Sequence, residues 1–285
     1  MKHSDGRFTG SAGRSIYFQC WEPELAPRAV LLLAHGLGEH SGRYLTLAQY
    51  FTGHNYAVAA LDHNGHGHSD GTPGHVNAFD DYLFDLEIFH RQLANRFNNV
   101  PMFLLGHSMG GLIASNYLLL VRHQREFVGA ILSGPAIKTD LEPGAVQLAL
   151  LRLLALLLPR VGMLKLDANG VSRDPEVVRY YMEDPLVFHG KLSARMLREL
   201  FLGMHAIQTG AASIAVPILI LHGGADVMTS PEGSRFLHQH ISSSDKTLRI
   251  YPGLYHEIFN EPERAEVLAD VLSWCDTRLA NASTR

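Results

Sequence analysis

A chain of 285 residues is long enough for one large domain, or for one domain with an insertion, and can bury most of its apolar surface. With 46% hydrophobic and 18% charged residues it is neither disordered nor of low complexity. Its 24 Lys and Arg against 28 Asp and Glu leave a net charge of −4, so no basic excess is available to neutralise a phosphate backbone and nucleic acid is not an expected partner.

The first fifteen residues, MKHSDGRFTGSAGRS, hold no apolar core of the kind a secretory signal needs. Cys20 and Cys275 are too few and too distant for a disulfide framework or a thiolate metal site, and cytoplasmic residence is the expectation. After Tyr17-Phe18 come short apolar runs at Ala29 to Ala34, Tyr56 to Leu61, Met102 to Leu105, Val128 to Leu132, Ile218 to Leu221 and Thr247 to Tyr251. Such runs, often bounded by Gly, Pro or Asp, suit strands buried on both faces of a parallel sheet. Between them Phe79, Leu83, Leu86, Phe89, Leu93 and Phe97 recur every three or four residues and predict an amphipathic helix. Leu112 to Arg122 and Pro262 to Leu279 predict two more. The alternation predicts a doubly wound, mostly parallel α/β sheet whose site lies beyond the carboxyl ends of its strands.

The rhythm fails between Thr139 and Ala215, where no clear strand-like run appears, and this stretch reads as an inserted helical subdomain. The division is therefore a core in two parts, 1–138 and 216–285, with a lid or cap at 139–215. From Ala145 to Leu158 only Gln147 and Arg152 are polar, yet the run falls short of the roughly 18 residues of a membrane span and ends at Pro159. Two readings stand: a helix buried against the main domain, or a lid offering apolar surface to a pocket or a membrane.

Gly-x-Ser-x-Gly occurs twice, at Gly106-His107-Ser108-Met109-Gly110 and at Gly67-His68-Ser69-Asp70-Gly71. The motif presents a reactive serine where a strand turns abruptly into a helix, and its glycines remove side chains that would clash in so tight a turn. Ser108 has an apolar strand before it and a helical segment after it, whereas Ser69 is trailed by Thr72-Pro73-Gly74 and reads as a loop residue. A serine hydroxyl needs a base to take its proton, and in this architecture an acid and then a histidine follow it along the chain. Asp226, in His222-Gly-Gly-Ala-Asp226, and His256, after Pro252-Gly-Leu-Tyr255, each follow a late strand. Two backbone N–H groups should face the developing oxyanion: that of Met109, next to the nucleophile, and that of Leu37, in the loop His35-Gly36-Leu37-Gly38 after an early strand.

These residues, with His35-Gly-Leu-Gly-Glu-His-Ser-Gly-Arg-Tyr44, Asp62-His-Asn-Gly-His-Gly-His-Ser-Asp-Gly71 and Tyr255-His256, resemble the monoacylglycerol lipase family of α/β-hydrolases. The resemblance runs in order from residue 35 to 256. It implies the α/β-hydrolase fold with a helical lid, hydrolysis of a lipid ester without cofactor or metal, and Leu37 and Met109 as the oxyanion hole. It also implies that Glu39, Arg43, His107 and Tyr181 lie near a glycerol head group. The other reading of Glu39 and Arg43 is a pair that braces its loop. Two departures stand out: Glu257-Ile-Phe-Asn260 has no second histidine three residues after His256, where some animal relatives place one, and Val227-Met-Thr-Ser230 has no cysteine after Asp226.

The imidazoles of His63, His66 and His68, with Asp62 and Asp70, also invite a zinc-hydrolase reading. Against it stands the complete serine mechanism already supplied. A binding module that has lost catalysis is a further class, since fold does not dictate function, but all three catalytic positions are filled. Within the serine reading, a general carboxylesterase or a lysophospholipase is the alternative.

Overall fold

The computed structural model describes residues 1–139 and 144–282. In its first half the elements are β1 (Lys2–Thr9), β2 (Ser15–Glu22), β3 (Ala29–Ala34), α1 (Leu45–Gly53), β4 (Tyr56–Leu61), α2 (Asp80–Arg96), β5 (Met102–His107), α3 (Met109–Leu118), α4 (Val121–Gln124) and β6 (Gly129–Ser133). There follow α5 (Ala145–Leu157), β7 (Gly162–Lys165), α6 (Pro175–Glu183), β8 (Lys191–Ser193), α7 (Ala194–Gly210), β9 (Ile218–Gly223), α8 (Pro231–His240), β10 (Lys246–Tyr251) and α9 (Arg264–Ala282).

Eight strands form one sheet in the order β1-β2-β4-β3-β5-β6-β9-β10. The pairings β1 with β2 and β2 with β4 are antiparallel, and all the others are parallel. The six apolar runs of the sequence are its six parallel strands, and β3, β4, β5, β6 and β9 are buried at every position. Successive side chains point to opposite faces. Val30 and Leu32 accordingly pack with Leu86 and Phe89 of α2 and Ile113 of α3, while Leu31 and Leu33 pack with Phe51 of α1 and Val271 of α9. Helices cover both faces, which is what a sheet of continuous apolar strands requires.

Some elements differ from expectation. β1 carries no apolar run; it is an edge strand held by full pairing to β2, from Lys2 opposite Glu22 to Thr9 opposite Ser15. The helix expected through Arg122 ends at Leu118, because Gln124 Nε2 caps the Leu118 carbonyl at 2.7 Å and the chain is extended at Leu120 before α4. The stretch without strand-like runs contains the antiparallel pair β7 and β8, too short and too polar to register as a pattern. Its described residues add no strand to the large sheet.

Of the two readings of α5, burial against the main domain is not what is observed. Only Leu151 and Ala155 are buried, against Ala194 of α7, while Leu150, Leu153, Leu156 and Leu157 are 51% to 69% exposed. No helix among the described residues is long and apolar enough to cross a membrane. Both cysteines are buried and unpaired, and burial pushes the Cys20 thiol up to about 12.

Candidate active site

β5 runs straight into α3, and Ser108 sits at the joint with φ 54° and ψ −119°, a backbone conformation that side chains rarely adopt. The turn is held by bonds from Ser108 N to Ser133 O on β6 (2.9 Å) and from Ala136 N to Ser108 O (3.1 Å). Glycine is required two residues on: a Cβ at Gly110 would lie 2.0 Å from the Ala34 carbonyl oxygen. Met109 is the first residue of α3, so its N–H has no partner within the helix, and Met109 lines the same cavity as Ser108. Ser69, by contrast, donates to Asp62 O (2.5 Å) and accepts from Tyr17 N (2.8 Å), which ties its loop to β2.

Asp226 and His256 come from the loops after β9 and β10, and His256 Nδ1 donates to Asp226 Oδ2 at 2.7 Å. That leaves Nε2 for the serine proton. Asp226 Oδ1 accepts from Met228 N (2.8 Å) and Thr229 N (3.0 Å), and Oδ2 also accepts from Thr229 Oγ1 (2.9 Å). His222 Nε2 lies 3.1 Å from Oδ2. Burial pushes the Asp226 carboxyl upward, but His256, His222 and Thr229 together hold it well below the usual carboxylate range. For His256 burial pulls downward, and the charge and hydrogen bond of Asp226 outweigh it, so the imidazolium is favoured beyond its ordinary value. Gly134 serves this pair by close approach: with φ 50°, it would place a Cβ 3.2 Å from His256 Nδ1. The histidine loop is also tied to the inserted stretch, by Glu257 N donating to Val171 O (2.7 Å) and by buried Glu261, which accepts from both Tyr255 N (3.0 Å) and Arg173 Nε (2.9 Å).

The loop after β3 folds around Glu39. Its Oε1 accepts from Gly36 N (2.6 Å) and from the Tyr44 hydroxyl (2.7 Å), and this shapes the turn bearing Leu37. Bracing is thus real, although Arg43 contributes less than expected: its Nη1 is 3.6 Å from Glu39 Oε2. The guanidinium instead makes a two-pronged bond to Glu257, at 2.8 and 2.7 Å, and lies 4.5 Å over the Tyr181 ring. His107 Nδ1 is 3.1 Å from Ser133 O and Oγ, and burial, with His256 beside it, drives its pKa down to about 3, which keeps it neutral.

One cavity gathers Ser108, His256, Leu37, Met109, Glu39, His107, Tyr181 and Glu257 on its wall. The rest is largely apolar, from Leu164 on β7, Leu192 on β8, and Leu197, Leu200, Phe201 and Met204 on α7. Sequence reading missed Glu257, Thr229 and His222. The signal for His222 was present in His222-Gly-Gly-Ala-Asp226, and Thr229 lies only three residues from Asp226, but Glu257 acts through Arg43, distant in the chain.

The His63, His66 and His68 cluster does not converge. Asp62 Oδ1 accepts from Ser41 N (2.8 Å) and Oδ2 from His68 N (2.8 Å), and the exposed His68 ring faces Tyr17. Among the described residues no group of three or more His, Cys, Asp or Glu is placed to hold a metal ion.

A mostly parallel sheet flanked by helices, with a serine at the sharp turn after β5, defines the α/β-hydrolase fold. The chain belongs to the Hydrolase_4 family, serine aminopeptidase, S33, whose model matches residues 26–263. It is 41% identical over 276 residues to a monoacylglycerol lipase of Mycolicibacterium smegmatis, covering 97% of this chain and 98% of that one. A monoglyceride lipase of Rattus norvegicus is 33% identical over 276 residues, covering 96% and 90%. Among solved structures, the monoacylglycerol lipase of Paleococcus ferrophilus superposes with a TM-score of 0.80 at 32% identity, over 98% of this chain and all of that one.

Proposed function

We propose that this chain hydrolyses the ester bond of monoacylglycerols through an acyl-enzyme. Ser108 attacks the carbonyl, His256 takes its proton and passes it to the departing glycerol oxygen, and Asp226 fixes the imidazole tautomer and stabilises its cation. Water then repeats the sequence. The N–H groups of Leu37 and Met109 stabilise both oxyanions, each by on the order of 3 kcal/mol. The observation that carries the reading is a single cavity that joins the nucleophile and the Asp226-bonded histidine to two kinds of wall. Glu39, His107 and Tyr181 offer hydrogen-bonding groups to a small alcohol, and the side chains of β7, β8 and α7 suit an acyl chain. A panel of mono-, di- and triacylglycerols and p-nitrophenyl esters of one acyl length tests it. The expected kcat/KM is at least tenfold higher for the monoacylglycerol than for the diacylglycerol. A preference for the diacylglycerol overturns the substrate, and a preference for the aryl ester alone leaves a general carboxylesterase.

Residues 139–215 act in this proposal as a lid, of which 140–143 lie outside the described residues. The enzyme works in the cytoplasm, a setting that suits its two buried, unpaired thiols, and meets membranes through the exposed leucines of α5. Each such leucine gains about 1.5–3 kcal/mol on full burial, so losing three is enough to abolish weak adsorption. Replacing Leu153, Leu156 and Leu157 by serine is expected to remove binding to phosphatidylcholine vesicles. Hydrolysis of vesicle-borne monoacylglycerol should fall about tenfold, with p-nitrophenyl acetate turnover unchanged. Undiminished vesicle binding sinks the membrane role.

A further inference from the structure

Two carboxylates and one guanidinium meet beside the nucleophile, and they are not arranged symmetrically about the cavity. Glu39 and Glu257 both line it, and so does Tyr181; Arg43 does not. The guanidinium lies behind them, packed on the Tyr181 ring and bonded through both ends to Glu257, and it borders a separate groove with His40, Tyr180 and Asp184. Its side chain is 10% exposed, and those of Glu39 and Glu257 are 4% and 5% exposed. Lys138 is the one Lys or Arg on the cavity wall among the described residues, and its ammonium lies 4.6 Å over the ring of Phe236, which is not part of that wall. This polar wall adjoins the serine: a Cβ at Gly36 would touch Glu39 Oε1, His107 and the Ser108 side chain together.

We propose that Glu257, together with Glu39, selects the alcohol half of the ester by charge, accepting neutral or cationic alcohols and turning away those that bear phosphate. The inference rests on the ester-hydrolase reading and adds to it a specificity-determining residue that the family resemblance does not supply. Alcohol hydroxyls can donate to a carboxylate oxygen or to Tyr181, whereas ionised phosphate oxygens only accept. A second anion set against two nearly buried carboxylates, whose own cation is already fully engaged, meets repulsion that water screens poorly. The same feature separates a monoacylglycerol hydrolase from a lysophospholipase on physical grounds.

The test uses three octanoyl esters below their micelle concentrations, so that membrane effects do not enter: 1-octanoylglycerol, octanoylcholine and 1-octanoyl lysophosphatidate. In the unaltered enzyme kcat/KM for the lysophosphatidate should lie at least tenfold below that for the glycerol ester, with the cationic choline ester falling above the lysophosphatidate. Glu257→Gln keeps the shape of the side chain and removes its charge. It should shrink the gap between phosphate and glycerol esters at least threefold and lower the choline ester relative to the glycerol ester. Should that variant fail to fold, Glu39→Gln replaces it, since an amide oxygen can still accept from Gly36 N and the Tyr44 hydroxyl. A lysophosphatidate rate within tenfold of the glycerol ester, or a gap that neither variant shrinks, overturns the proposal. If the glycerol ester is not turned over while the choline ester is, the monoacylglycerol reading fails separately, and the order of the other two esters still reads the charge effect; if none is turned over, the ester-hydrolase reading fails and the charge proposal falls with it.

Discussion

Ser108→Ala is expected to lower kcat on monoacylglycerol by about 10⁵ to 10⁶, because loss of the nucleophile leaves only the oxyanion donors and substrate binding to act on the ester. Its melting temperature should not move. The bonds that hold the turn, from Ser108 N to Ser133 O and from Leu112 N and Ala136 N to Ser108 O, all belong to the backbone. Ser108→Gly should be equally inactive but more stable. At φ 54° and ψ −119° a Cβ costs about 1–3 kcal/mol, which glycine escapes, while glycine gives back roughly 0.4–1 kcal/mol through the freer unfolded chain. The net gain of about 1 kcal/mol should raise the melting temperature by about 2–4 °C over the alanine variant. Equal melting temperatures for the two variants would show that the turn stores no strain; appreciable turnover in either would remove Ser108 from the chemistry.

What the sequence displayed well was whatever depends on local pattern. The six parallel strands are runs of apolar residues because both faces of the sheet are covered, and the turn at Ser108 is marked by glycines that steric contact with Ala34 and with α3 demands. Asp226 and His256 were found by their order after late strands, and the fold brings them to 2.7 Å. Hidden were the features that depend on who meets whom. Glu257 reads as an ordinary acidic residue until it is seen facing Arg43, 214 positions away. β1 is polar but for Phe8 and is held by its pairing with β2 and by Phe8 against Phe89 of α2. The Leu-rich run at α5 shows no sign in its composition of which leucines stay exposed, since that is set by how few side chains α7 offers it.

Asp226→Asn should lower kcat by about 10⁴ with the fold retained, and the surrounding hydrogen bonds give the reason. Asp226 Oδ1 is pinned by two backbone donors, Met228 N and Thr229 N, so the carbonyl oxygen of the substituted amide takes that place. Its NH₂ group must then face His256 Nδ1 and donate to it. That forces the imidazole proton onto Nε2, where the proton of Ser108 has to go. The pH dependence should change in a defined direction. In the unaltered enzyme Asp226 outweighs burial and raises His256 above its ordinary 6.5, so kcat/KM climbs through an acid limb lying above pH 6.5. Without the carboxylate, burial is opposed only by the charges of Glu257 and Glu39, and the limb should move to lower pH. Stability follows the same pair. A histidine raised on folding stabilises below its unfolded pKa of about 6.5, and a carboxyl lowered on folding stabilises above its unfolded pKa of about 3.9, so the variant's deficit should be greatest between these values. The difference in melting temperature between the two proteins, followed from pH 4 to 9, should narrow as pH rises through the folded pKa of His256, leaving the part due to the His222 and Thr229 hydrogen bonds. A constant difference across that range, or an acid limb that does not move, would mean that the carboxylate and the imidazole do not titrate as a pair.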